Sequence, residues 1–201
     1  MTYIKKNFHD ILKLYINQIG ITIFALMLYT ACGITDDDVL FSQLRTVISI
    51  FSIIFFFVLL YYVTWEEGAK DKIRIEGGRL EPCRFRGLLN GLLANVPNLV
   101  LGTLTLIFSI LSFCGVEWSK AGFSILYLIT SWHASMYMGI IQTSVYGFSV
   151  PDTDVPDYGK YLVMSILFLL IPLVSALVTH IAYTLGSKEI KLFGFLSSKK
   201  K

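Results

Sequence analysis

The sequence has little charge, and long stretches of it have none. Charged residues make up 15% of the 201 residues, and hydrophobic residues make up 55%. Soluble domains carry about 25% charged residues. Five apolar segments without Asp, Glu, Lys or Arg lie at about 15–32, 46–64, 87–113, 122–146 and 161–185. About 20 apolar residues cross a bilayer. The sequence therefore predicts an all-α polytopic membrane bundle that forms a single domain over 1–201.

Motifs for catalysis and cofactor binding are also missing. The apolar segments hold no carboxylate, whereas ion-coupled carriers usually place Asp or Glu at mid-depth. The H-E-x-x-H pattern of intramembrane metalloproteases is absent as well. We therefore expect no enzyme, no catalytic residue, no metal site and no cofactor. The net charge of +3 is too small to indicate a nucleic-acid partner.

Cysteine is scarce. Three cysteines are too few for a disulfide framework. Cys32 ends the first apolar segment and Cys114 follows the third, so the sequence leaves open a disulfide between them. Cys83 lies in a charged loop that we expect to be cytoplasmic, where its thiol stays reduced.

The densest charge of the chain lies at 65–86, between the second and third apolar segments. Five acidic residues accompany six basic ones, which form a candidate partner-binding loop: Lys70, Lys72, Arg74, Arg79, Arg84 and Arg86. Residues 72–76 alternate between charged and apolar side chains, and Gly77-Gly78 follows. That pattern predicts a small β-hairpin on the membrane surface.

Small and polar residues recur along the third apolar segment. Gly87, Gly91, Asn95, Asn98 and Gly102 are spaced by 4, 4, 3 and 4 positions, which places them on one helix face. Such a face is typical of a helix-packing seam. It is also compatible with a ligand-lining surface. Pro97 predicts a kink in this helix.

The fourth apolar segment is the most polar. Together with the fifth segment it supplies a candidate intramembrane polar site: His133, Ser131, Ser135, Gln142 and His180. Ionisable residues inside a membrane are functional candidates by default. The alternative for both histidines is a hydrogen bond to a neighbouring helix.

The basic residues predict the orientation. With the amino terminus and loop 65–86 in the cytoplasm, five plain spans leave ten basic residues inside and seven outside. If segment 122–146 enters and returns without crossing, the tail joins the cytoplasmic side, and fourteen lie inside against three outside. The positive-inside rule favours this second topology of four crossings. Five spans remain the alternative.

Parts of the sequence resemble uncharacterised multi-pass membrane proteins of Gram-positive bacteria. The likeness rests on Gly68, Lys70-Asp71, Gly78-Arg79, Arg86-Gly87 and Pro97, and on the closing stretch 170–188. It implies a bacterial origin, a membrane location and a helical fold, and it implies no reaction.

Two functional classes remain. The first is a non-enzymatic accessory or interaction subunit in the cell membrane, with the lipid bilayer and a membrane-protein partner or a second copy as its partners. The second is a small-molecule transport component, such as a substrate-binding subunit or carrier, whose ligand the sequence does not identify.

Overall fold

The computed structural model describes residues 3–32, 38–147 and 157–190, with the backbone alone for Cys32 and Asp38. These residues form seven α-helices and no strand, which confirms the all-α prediction for this part of the chain. The helices are α1 (Tyr3–Cys32), α2 (Asp38–Glu76), α3 (Arg86–Ala94), α4 (Val96–Phe113), α5 (Glu117–His133), α6 (Ser135–Tyr146) and α7 (Tyr158–Ser187).

Four of the described helices are long and apolar enough to cross a membrane, namely α1, α2, α4 and α7. They are compatible with a multi-pass membrane protein. The helix α1 runs without a break from the basic amino-terminal residues Lys5, Lys6 and Lys13 through the first apolar segment. The 39 residues of α2 correspond to about 58 Å at 1.5 Å per residue. Because a hydrocarbon core is about 30 Å thick, the charged residues at the end of α2 extend beyond it.

Four helix termini meet at one end of the bundle. The Tyr3 hydroxyl at the start of α1 contacts Arg86 at the start of α3, and Arg86 contacts Asp71 near the end of α2. Tyr183 near the end of α7 donates a hydrogen bond to Asp71. We call this end of the bundle, which holds Tyr3, Asp71, Arg86 and Tyr183, the charged end. It follows that α1 and α2 are antiparallel and that α7 runs parallel to α2.

The predicted hairpin at 72–81 is wrong, because α2 continues as a helix to Glu76. Ion pairs at i,i+4 spacing link Lys70 to Glu66 and Lys72 to Glu76, and such pairs favour a helix. Gly78, at φ +67°, then ends the helix. Its N–H bonds to the Ile75 carbonyl, and the Arg79 N–H bonds to the Arg74 carbonyl. These two bonds form a Schellman C-cap, so Gly77-Gly78 is a helix terminator and not a hairpin turn.

The third and fourth apolar segments each form two helices instead of one. Asn95 separates α3 from α4, and Pro97 lies in the first turn of α4. Proline is tolerated there because the first N–H groups of a helix have no partner within the helix. Ala134 separates α5 from α6. Since α5 has 17 residues and α6 has 12, neither has the length of a full span.

The two halves of the fourth segment run in opposite directions along the bundle. Helix α5 is antiparallel to α4, because Thr105 bonds to Thr130 and Ser112 bonds to Ser119. Helix α6 is antiparallel to α2, because the Gly139 N–H bonds to Ser49 and Thr143 bonds to Thr46. Both the start of α5 and the end of α6 therefore lie away from the charged end.

Candidate functional site

The charged end is organised around one buried ion pair. Arg86 and Asp71 are 6% and 3% exposed. The Arg86 Nε lies 3.1 Å from the Asp71 Oδ2, although not in hydrogen-bond geometry. The same carboxylate accepts a hydrogen bond from the Tyr183 hydroxyl at 3.0 Å and pairs with Arg74 at 3.2 Å. Asp71 therefore joins α2, α3 and α7 at one point.

Helix α1 joins this group through Tyr3. Its hydroxyl lies 2.9 Å from the Asn90 Oδ1 and 3.3 Å from the Arg86 carbonyl. Asn90 is 2% exposed. A second link is the Asp10 carboxylate, 3.8 Å from the Arg86 guanidinium. All four helices that end here are thus held by polar side chains around Arg86.

Next to this pair, α1 and α2 enclose a cavity of about 240 Å³, which we call the carboxylate pocket. It is lined by His9, Asp10, Lys13, Glu67, Lys70, Asp71 and Arg74. The Glu67 Oε1 is buried and has no hydrogen-bond partner among the described residues. Burial, followed by the nearby Asp10 carboxylate, raises the Glu67 pKa to about 7. Glu67 is therefore placed to take up a proton near neutral pH.

The predicted glycine and asparagine face packs against α7. A Cβ placed on Gly87 would lie 2.5 Å from the Tyr183 Cβ, and one on Gly91 would lie 3.0 Å from the Ala176 Cα. Gly102 faces Leu169 at 3.5 Å. These glycines allow two backbones to approach closely. The geometry is that of a packing seam inside the chain.

The two asparagines of this face lie at the break between α3 and α4. The Asn95 amide donates to the Gly91 carbonyl at 2.9 Å, and the Asn98 amide donates to the Asn95 Oδ1 at 3.0 Å. Asn95 is 5% exposed. The Gly91 carbonyl also accepts the Asn95 backbone N–H at 3.2 Å, so the side-chain amide adds a second hydrogen bond at the end of α3.

His133 lies at the break between α5 and α6, where α1 holds it. Its Nε2 is 3.4 Å from the Tyr15 hydroxyl, and the two rings stack with centroids 6.1 Å apart. The Thr22 hydroxyl donates to the His133 carbonyl, and the Ser135 hydroxyl donates to the Thr22 carbonyl. Three polar contacts from one helix thus fix the turn at Ala134.

A small cavity lies beside this turn, with polar side chains and the apolar Leu101, Phe168 and Ile171 in its wall. Its volume is about 20 Å³, enough for about one water molecule. The polar side chains that line it come from four different helices: Gln18, Asn98, Thr130, His133 and Tyr137. Pro172 of α7 lines it as well. Two helix breaks and the proline of α7 therefore meet around one polar point.

The structure does not bring all the predicted intramembrane residues together. The Ser131 hydroxyl donates to its own helix at Tyr127, and Gln142 also interacts with Tyr127. His180 stacks on Phe85 near the charged end, with centroids 5.9 Å apart. Its Nδ1 has no hydrogen-bond partner among the described residues. The histidines thus belong to different environments.

The predicted partner-binding residues also divide into two groups. Lys70, Arg74, Arg79 and Arg84 are exposed and Lys72 is half-buried, whereas Arg86 is buried. Arg86 therefore acts within the fold and is not on the surface of a loop. Cys114 carries a free, exposed thiol, so the Cys32–Cys114 bond that the sequence leaves open is not formed here. The Cys32 side chain lies outside the described residues.

Sequence reasoning missed Asp71, Glu67, Tyr3 and Asn90 as site residues. A signal was present for the acidic pair, because Asp71 lies four positions after Glu67 on a charged stretch that proves to be helical. No group of three or more His, Cys, Asp or Glu side chains within the described residues has the geometry of a metal site. No protein-family model, curated protein or solved structure matches this chain.

Proposed function

We propose that this chain is a non-enzymatic accessory subunit of a cell-membrane complex and that its charged end binds the partner. The observation that carries this proposal is the exposed end of α2. Ile73 is 68% exposed and lies between Lys72 and Arg74, nine residues after the last residue of the apolar segment 46–64. Nine helical residues span about 13 Å. An isoleucine that lies among charged residues about 13 Å beyond the apolar segment is not covered by lipid chains. We therefore infer that a protein surface covers it.

The charges around Ile73 agree with a protein partner. Lys70 pairs with Glu66, and Lys72 pairs with both Glu76 and Glu189. A patch in which both signs alternate is poorly suited to anionic headgroups alone. It is well suited to electrostatic complementarity with another protein, or with a second copy of this chain.

A photo-crosslinking amino acid at position 73 tests this function. In native membranes it forms one crosslinked species of defined mass, and Arg79→Glu with Arg84→Glu lowers the yield. The matched control is position 118 at the opposite end, because Trp118 is 67% exposed and Ile73 is 68% exposed. No crosslink at position 73, or the same species from both positions, contradicts the proposal. A species of twice the chain mass identifies a second copy as the partner.

We further propose a topology of four crossings, with α5 and α6 as a re-entrant pair and with the charged end in the cytoplasm. The opposite directions of α5 and α6 support this topology. The meeting of the start of α1 with the ends of α2 and α7 supports it as well. The basic residues support the orientation. The resemblance to bacterial membrane proteins supports a cell-membrane location.

A transport component is the second candidate. The observation in its favour is the small cavity at the two helix breaks, because transporters place binding sites at interrupted helices near the membrane midplane. At about 20 Å³ the cavity would have to widen to admit a solute larger than water. Ligand-dependent thermal stabilisation that is lost in His133→Leu and kept in His180→Leu would favour this candidate over the first.

A further inference from the structure

A cleft at the opposite end of the bundle, between α5 and α7, is lined mainly by aromatic rings. We call it the aromatic cleft, and its volume is about 320 Å³. Four rings line it, with the hydroxyls of two serines beside them: Phe123, Tyr127, Tyr158, Tyr161, Ser124 and Ser131. Phe123 is buried and the three tyrosines are half-buried. These rings therefore face one another more than they face the surroundings.

The rings are inclined to one another and do not stack flat. Phe123 and Tyr161 have centroids 5.4 Å apart at 55°, and Tyr127 and Tyr161 have centroids 5.2 Å apart at 65°. Tyr158 is tilted by 65° to Phe123 and by 61° to Tyr161. A membrane-interface belt needs no such arrangement, because its rings point outward to the headgroups. Rings at these distances and angles are in direct aromatic contact, and the same four rings line the cleft, where a ring face turned to the cavity would attract a cation.

Two lysines show that the ring faces in this region attract positive charge. The Lys160 Nζ lies 4.7 Å from the centroid of Tyr146, and the Lys120 Nζ lies 5.9 Å from that of Tyr158. Each lysine is also paired with an acid, Lys160 with Asp157 and Lys120 with Glu117. Among the described residues, the two lysines beside the cleft are therefore each balanced by an acid.

We propose that the aromatic cleft binds a small organic cation, a quaternary or methylated ammonium group, through cation–π contacts with Tyr127, Tyr158 and Tyr161. Ser124 and Ser131 also line the cleft. Their hydroxyls donate to the Lys120 and Tyr127 carbonyls, so each can still accept a hydrogen bond from a ligand hydroxyl. The ammonium group belongs either to a free solute or to a lipid headgroup. This proposal does not depend on the function proposed for the charged end.

Binding of choline chloride tests the proposal. The full chain is placed in nanodiscs of phosphatidylglycerol, and titration calorimetry compares choline with 3,3-dimethylbutan-1-ol, which has the same shape without the charge. We expect choline to bind at least tenfold more tightly than the neutral analogue. Equal affinity, or no binding of either compound, overturns the proposal.

Variants of Tyr158 then locate the site, because this ring is at the half-buried rim. Tyr158→Leu weakens choline binding at least tenfold, whereas Tyr158→Phe keeps it within about threefold, since the ring face is what binds. Tyr62→Leu, which removes a 65% exposed tyrosine on α2, leaves it unchanged. Equal binding in Tyr158→Leu and the unaltered chain overturns the assignment, as does a loss in Tyr62→Leu. If Tyr158→Leu does not fold, Tyr161→Leu takes its place, because Tyr161 lines the same cleft, and unchanged choline binding there overturns the assignment.

The source of the ammonium group is decided by the lipids that stay bound. Native mass spectrometry after exchange into mixed choline and glycerol phospholipids measures which are retained. Retention of choline lipid by the unaltered chain and by Tyr158→Phe, with loss in Tyr158→Leu, assigns a headgroup. Binding of free choline without such retention assigns a solute. Absence of both contradicts the proposal.

Discussion

Arg86 and Asp71 form an ion pair at 3.1 Å in which both side chains are almost completely buried. They come from different helices, α3 and α2, and Tyr183 from α7 shares the carboxylate. A buried ion pair is costly to form, and breaking it is costlier, because the remaining buried charge loses its closest partner. The pair therefore makes the arrangement of these helices specific.

The first prediction concerns this pair. Asp71→Asn and Arg86→Gln should each lower the free energy of unfolding by about 3–5 kcal/mol, since each leaves one buried charge without its closest partner. The double variant should lose less than the sum of the two, because neither buried charge of the pair remains. Denaturant unfolding in detergent micelles measures all three. Arg79→Gln is the control on an exposed residue, and a loss there as large as in Arg86→Gln contradicts the interpretation.

The second prediction concerns the seam between α3 and α7. Gly87→Ala places a Cβ 2.5 Å from the Tyr183 Cβ, so it should cost about 1–3 kcal/mol of stability through overpacking. The matched control is Gly20→Ala, where no atom lies within 4 Å. That change should leave stability unchanged or raise it by up to about 1 kcal/mol through helix propensity. Thermal unfolding in the same detergent compares them, and equal effects would refute the seam.

The third prediction concerns pH. The Glu67 pKa of about 7 in the folded chain lies above its ordinary value of 4.5. Between these values the folded chain holds a proton that the unfolded chain has lost. Its stabilising effect is therefore complete below 4.5 and is lost as the pH rises through 7.

The size of this effect is up to about 3 kcal/mol, at 1.36 kcal/mol for each pKa unit. Glu67→Gln should remove it, so unfolding midpoints measured at about pH 5 and about pH 8 should differ less than in the unaltered chain. His9, Asp10 and Lys13 line the same pocket and are unaltered in both proteins. Glu76→Gln, on an exposed residue of the same helix, is the control. The same pH dependence in the unaltered chain and in Glu67→Gln would exclude Glu67 as its cause.

The fourth prediction concerns topology. Cys83 and Cys114 are free and exposed, so a membrane-impermeant thiol reagent reports on both in a Cys32→Ser background. Cys114 should react in intact cells, and Cys83 only after the cells are permeabilised. A cysteine introduced at Lys188 should behave like Cys83 if α5 and α6 do not cross. Labelling of position 188 in intact cells would establish five spans instead.

The helical content was predictable because long apolar stretches indicate membrane helices, but the third and fourth segments are each divided between two helices. The helix face from Gly87 to Gly102 was predictable from the helical spacing of its residues. The helix that packs on it, α7, was not, because residue spacing within one helix does not identify its tertiary contacts. Residues 72–76 misled because two-residue alternation outweighed the i,i+4 charge pairs. The break at Ala134 has no Gly or Pro to mark it, and contacts with Thr22 decide it. The role of Arg86 was hidden because a basic residue in a charged stretch is usually solvated.

The order of synthesis gives α7 a further importance. Its seam with α3, its hydrogen bond to Asp71 and its contacts with α2 all belong to the last described helix to leave the ribosome. Until it arrives, Gly87 and Gly91 face lipid, and Asp71 lacks the tyrosine that shares its carboxylate. Helices α1 to α6 therefore lack part of their packing until α7 has been added. A premature stop codon before Tyr158 would leave a product in which Gly87, Gly91 and Asp71 lack their contacts with α7. We expect membrane quality-control proteases to degrade such a product.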